Sequence, residues 1–115
     1  MTSFELATAA ARAMDAKKGK DIRAIKVEDL TIITDYFVIC TGTSSTQVKA
    51  LADEVEFQLE NAGAALLHRE GEDGRSWVVL DYGTVIVHVF TPEARSYYDL
   101  EHLWAAASPV ELALD

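Results

Sequence analysis

The sequence predicts one α/β domain, a mixed, roughly five-stranded sheet with helices packed on it. Three observations predict it. Apolar residues recur at helical spacing over 4–14 and 48–62. Short runs rich in strand formers occupy 21–27, 36–41, 65–69, 76–81 and 84–90. The chain has 115 residues, half of them hydrophobic, which suits one folded core and excludes a disordered chain.

In order, Thr2 or Ser3 caps a first helix, and Glu5 lies favourably near its positive end. Phe4, Ala7, Ala11 and Met14 form its apolar stripe, and Gly19 stops it after Lys17 and Lys18. Residues 21–27 read as a strand ended by Glu28 and Asp29, and 30–35 as a short strand or a turn. The run YFVICT at 36–41 is apolar throughout, as expected of a central strand buried on both faces. Gly42-Thr43-Ser44-Ser45 then opens a second helix, with Ser44 and Gln47 spaced as a capping box. Its stripe is Val48, Leu51, Ala52, Val55, Leu59 and Ala62, and Gly63 ends it. A strand at 65–69 and a polar loop at 70–74 lead to a hairpin, 76–81 and 84–90, turned at Tyr82-Gly83. Pro92 opens a short helix to about Tyr98, and 100–107 suggests another. Pro109 ends regular structure. The domain is therefore placed at 1–107, with 108–115 as a flexible tail.

The net charge of −9 is unevenly spread. Residues 1–52 hold seven basic and six acidic residues, leaving +1; residues 53–115 hold three and thirteen, leaving −10. Nucleic-acid binding rests on Lys and Arg neutralising phosphates, so the second half suits a basic protein partner instead. The basic residues Lys17, Lys18, Lys20, Arg23 and Lys26 form either a small RNA-phosphate patch or a solvated helix end and strand face. No apolar run reaches the roughly 20 residues that span a bilayer, so no membrane role is expected. With one cysteine, Cys40, no internal disulfide forms, and a reducing cytoplasm is the simple reading.

Several kinds of chemistry are weighed. GTSS between a strand and a helix looks like an anion cradle, but neither GxxxxGK[ST] nor GxGxxG is present, and a capping box accounts for the residues. Asp35, Asp81 and Asp99 are the candidates for magnesium, yet no second carboxylate lies two residues from Asp35 or Asp81. His68, His88 and His102 lack metal spacing, and no serine sits in GxSxG. No cofactor, metal or catalytic residue is therefore assigned. The stretch 75–104 instead concentrates both tryptophans and three of the four tyrosines beside acidic residues. Such a surface suits a grip on a basic protein. Packing of the tail on the sheet accounts for the aromatics equally well.

The motifs TDYFVICTGTSSTQVKALADEVE at 34–56 and WVVLDYGTVIVHVFTPEARSYYDLEHLW at 77–104 resemble the ribosomal silencing factor, or Iojap-related, family over nearly the whole chain. The resemblance implies a sheet related to the nucleotidyltransferase fold without its catalytic carboxylates. It implies a non-enzymatic translation repressor that binds the large ribosomal subunit, chiefly through the L-fourteen ribosomal protein. Such a factor blocks joining with the small subunit and lowers translation in nutrient shortage; a role in large-subunit maturation is also implied. Carried onto this chain, the partner-facing residues are Trp77, Val79, Asp81, His88, Tyr98, Leu100 and Trp104. A minor ribosomal RNA contact through the basic segment and a homodimer remain open alternatives. The reading from a different class is a small nucleotide-binding protein or nucleotidyltransferase-like enzyme that uses the GTSS loop.

Overall fold

The computed structural model describes residues 1–71, 76–112 and 114. Helix α1 (Ser3–Ala16) begins at Thr2, whose hydroxyl accepts from the Glu5 amide while the Glu5 carboxylate accepts from the Thr2 amide. Strands β1 (Lys20–Lys26) and β2 (Tyr36–Thr41) follow, then helix α2 (Ser45–Asn61). The chain continues through β3 (His68–Glu70), β4 (Trp77–Asp81), β5 (Val85–Phe90), α3 (Pro92–Tyr98), α4 (Leu100–Leu103) and β6 (Ser108–Val110). Among the described residues the sheet has six strands in the order β3-β4-β5-β2-β1-β6. Only the central pair, β2 and β5, is parallel, because α2 and the β3–β4 excursion carry the chain back to start β5 in the same direction. This is the mixed α/β architecture that the sequence predicts.

Alternation along the strands sorts the core into two faces. On one, Val38 and Cys40 of β2, Val78 and Leu80 of β4, and Val85, Val87 and Val89 of β5 meet Met14 of α1 and Leu51, Val55 and Leu59 of α2. Each fully buried Leu, Val or Met there contributes about 1.5–3 kcal/mol. On the other face Ile25, Val27, Phe37, Ile39 and Phe90 pack under α3 and α4, with Ala94, Leu100 and Trp104 as the lid. All six residues of β2 are buried, as its apolar run requires.

The structure refines several local expectations. The α1 stop is made by Lys18 at φ 63, not by Gly19. Gly19 is needed for space, since a Cβ there would run into Cys40 Sγ. Phe4 is 44% exposed, so it sits at the rim of the core beside Tyr36. Gly63, at φ 90, does close α2: the amides of Gly63 and Ala64 donate to the carbonyls of Glu60 and Leu59. Residues 30–35 form turns rather than a strand, and β3 is shorter than read, starting at His68. The polar loop at 70–74 falls largely outside the described residues. The expectation of a frayed tail needs correction. Ser108–Val110 pairs antiparallel with β1, and Val110, Leu112 and Leu114 pack against the α1–α2 side of the core. Pro109 is compatible with this strand because β6 is the sheet edge, where a missing amide donor leaves no ladder bond unmade.

Candidate functional site

The register of β4 against β5 sets Trp77 opposite Phe90, Val79 opposite His88 and Asp81 opposite Ile86. These six residues share the sheet face away from α1 and α2. Helices α3 and α4 cover its β2–β1 side and leave the β4–β3 side more open. Val79, Asp81 and Ile86 are accordingly only half-buried. His68 and Glu70 continue the face onto β3, opposite Asp81 and Val79, and are exposed.

Trp77 is the centre of this surface. Its indole stacks on Phe90 at 5.0 Å between ring centroids and meets Tyr98 at 4.5 Å. Tyr98 is 49% exposed, and Tyr97 beside it is 83% exposed. The structure thus brings Trp77, Val79, Asp81 and Tyr98 toward one accessible patch. Leu100 and Trp104 sit differently: both are half-buried lid residues, and Trp104 packs edge-on against Phe37 at 5.2 Å.

His88 departs from the expectation of a partner-facing residue. It is 6% exposed, beneath Trp77, whose indole N–H donates to His88 Nδ1 at 3.1 Å. Burial alone pushes its pKa down to about 4, so the ring is neutral at physiological pH. The local sequence VIVHVF placed His88 on the correct sheet face, but not its depth, which Trp77 and Phe37 decide from other strands. Asp81 also has a structural task, since its Oδ1 accepts from the Gly83 amide at 2.8 Å and fixes the β4–β5 turn. Gly83 supplies the positive φ of 86 which that turn needs.

Asp81 and Glu70 lie on the same sheet face as the patch, and the described arginines nearest to it, Arg69 and Arg95, are engaged within the fold. Arg69 projects to the opposite face and bonds Asp53 and Glu56, each at 2.9 Å. Arg95 is turned inward under α3, donating to both oxygens of Glu101, to Thr41 Oγ1 and to the Asp21 carbonyl. The Arg95 hydrogen bonds hold the Glu101 carboxyl below the usual carboxylate range.

Other candidates acquire structural explanations. Ser44 Oγ accepts from the Gln47 amide, while the Gln47 side chain reaches back to Thr43 and donates toward the Lys17 and Lys18 carbonyls. GTSS is thus a helix cap tied to the α1–β1 turn. Asp35 and Asp81 border strands separated by β5, two strand spacings or about 10 Å apart. Asp99 stands between α3 and α4 and pairs with His102. Among the described residues no group of three or more His, Cys, Asp or Glu is placed to hold a metal ion. Burial pushes the Cys40 thiol up to about 12, leaving it protonated.

Exposed apolar residues also occur where the sequence reading did not place a surface. In the β1–β2 loop Leu30, Ile32 and Ile33 are 46%, 104% and 71% exposed. The sequence signal for this surface is an apolar triplet beside the turn-forming acids Glu28, Asp29 and Asp35, a pattern equally compatible with a strand or a turn. Tyr97 and Leu103 are likewise far more exposed than Leu100 and Trp104.

Comparison with known proteins places this arrangement. The family model described as "Ribosomal silencing factor during starvation" matches residues 1–115. A Bacillus subtilis ribosomal silencing factor is 44% identical over 103 residues, covering 90% of this chain and 87% of that protein. A mouse protein named for mitochondrial assembly of the ribosomal large subunit is 33% identical over 95 residues, covering 80% of this chain and 42% of its own length. A crystal structure of a Chromobacterium violaceum protein superposes with a TM-score of 0.89 at 37% identity, covering all of this chain and 95% of that one. With a match that runs the length of the chain and a fold shared at this identity, the chain belongs to the ribosomal silencing factor family.

Proposed function

We propose that this protein silences translation by docking on the large ribosomal subunit, chiefly on the L-fourteen ribosomal protein, and by occupying space that the small subunit needs. Its family is described by an action on the ribosome rather than by a reaction, and the mouse relative is named for the large subunit. The observation that carries the docking face is the Trp77–Tyr98 pair, at 4.5 Å, on the more open side of the sheet. Aromatic side chains of this kind anchor interfaces, and the surrounding acids favour a basic partner.

In this reading Trp77, Val79, Asp81 and Tyr98 form the contact, Leu100 and Trp104 support it from the lid, and Tyr97 and Leu103 extend it. A minor contact with ribosomal RNA falls to Lys18 and Lys20. Both are exposed, whereas Lys17, Arg23 and Lys26 have acidic neighbours. The protein acts in the cytoplasm, alongside its ribosomes. Among the described residues no helix is long and apolar enough to cross a membrane.

Light scattering of purified subunits tests the proposal. Added protein should slow or prevent subunit joining, and Trp77→Ala should weaken binding to large subunits by more than about 1 kcal/mol while remaining folded. Subunit joining unchanged at saturating protein would refute the silencing mechanism. Wild-type affinity in a folded Trp77→Ala variant would remove Trp77 from the contact.

A further inference from the structure

We infer that His88 is a positioning residue for docking: its buried imidazole holds the Trp77 indole in the orientation that the partner meets. This rests on the docking face proposed above. An indole N–H only donates, so the 3.1 Å bond requires a lone pair on His88 Nδ1 and places the ring proton on Nε2. Nε2 is one of the few buried side-chain polar atoms among the described residues without a hydrogen-bond partner. Leucine or valine would fill this strand position without burying such a donor. The histidine is therefore a poor choice for packing alone and a reasonable one for supplying an acceptor to Trp77.

The surrounding rings make that acceptor a directional anchor. His88 meets Phe37 edge-on at 5.0 Å and lies nearly parallel to Phe90, with 10° between the rings. Phe37 in turn packs against Trp104. The imidazole thus sits in a ring network joining the central tryptophan to the helical lid, and its Nδ1 is fixed by apolar contacts on more than one side. Phe90 and Tyr98 restrict the plane of the indole, but stacking tolerates in-plane rotation. The hydrogen bond removes that freedom before a partner arrives, which lowers the ordering cost of association. It also engages the indole N–H internally. The partner then meets the ring by apolar or cationic contact, which suits the Lys- and Arg-rich surface of a basic protein.

The test compares wild type with His88→Leu, which removes the acceptor, and His88→Asn, which can place Oδ1 near the Nδ1 position. Circular dichroism establishes folding. Nitrogen-15 NMR follows exchange of the Trp77 indole proton, identified by the signal lost in Trp77→Phe. Affinity for purified large subunits is measured in parallel. His88→Leu should accelerate indole exchange and weaken docking by about three- to tenfold, and His88→Asn should restore most of both. Unchanged indole exchange, or wild-type affinity in a folded His88→Leu protein, would overturn the inference. So would a His88→Asn variant that protects the indole but does not recover docking. If His88→Leu does not fold, imidazole nitrogen shifts in the wild type decide: a proton on Nε2 with Nδ1 accepting supports the assignment, and one on Nδ1 overturns it. Failure of the wild type itself to bind large subunits would sink the docking reading separately, while unchanged indole exchange in the leucine variant would still count against positioning.

Discussion

His88 gives the clearest link between burial and a measurable property. Its ordinary pKa of 6.5 falls to about 4 in the fold because the charged ring would be desolvated. A depressed folded-state pKa means that the unfolded chain binds a proton first as pH falls. The resulting stability is fully present above pH 6.5 and is progressively lost down to about pH 4. On going from pH 7 to pH 5 this group should cost about 2 kcal/mol of unfolding free energy, read by urea denaturation. His88→Asn should have a visibly flatter profile in that range, whatever its stability at neutral pH. An identical slope would show that His88 does not titrate on unfolding as its burial requires. Glu101, held low by Arg95, adds its own dependence at more acidic pH, because its stabilisation is lost as pH falls below its ordinary value of 4.5.

At the scale of elements, the helical lid depends on one side chain more than on its own helices. Helix α4 has four residues, too few to persist alone, and the junction residue Asp99 lies at φ 48. Arg95 ties this segment to the sheet by joining Glu101 of α4 to Thr41 at the end of β2 and to the Asp21 carbonyl in the irregular part of β1. Its side chain is only 13% exposed, so its hydrogen bonds are partly shielded from water. Arg95→Met keeps much of the stem but leaves Glu101 and Thr41 without this donor. It should lower unfolding free energy by about 2–3 kcal/mol in urea denaturation and raise the hydrogen exchange of α4. Unchanged stability and exchange would show that Trp104 packing alone holds the lid.

For the whole molecule, Ser108–Val110, Leu112 and Leu114 are part of the packed fold. A boundary at 107 would leave the outer edge of β1 unpaired and remove Val110, Leu112 and Leu114 from the side of the core on which they pack. Truncation after Ala107 should therefore cost about 2–4 kcal/mol in denaturant unfolding, given the partial burial of those three side chains. The bared edge should also promote concentration-dependent self-association, seen by analytical ultracentrifugation. A truncated chain as stable and monodisperse as the full one would restore the boundary at 107. The acidic balance of the second half also belongs to this scale, as a long-range field rather than one contact, although its α2 acids lie across the sheet from the proposed docking face.

By itself the sequence determined the α/β class, the two long helices, the fully buried β2 strand, the β4–β5 hairpin and the acidic second half. Each rests on local periodicity, turn chemistry or composition, which short-range patterns record. The motifs at 34–56 and 77–104 also carried the family. Tertiary structure decided what depends on distant residues meeting. It paired 108–110 with β1 although Pro109 reads locally as a stop. It buried His88 under Trp77, turned Arg95 inward, and left Ile32 and Ile33 exposed in a turn. Alternation assigns a side chain to a sheet face, but how much water reaches it depends on what the rest of the chain lays over that face.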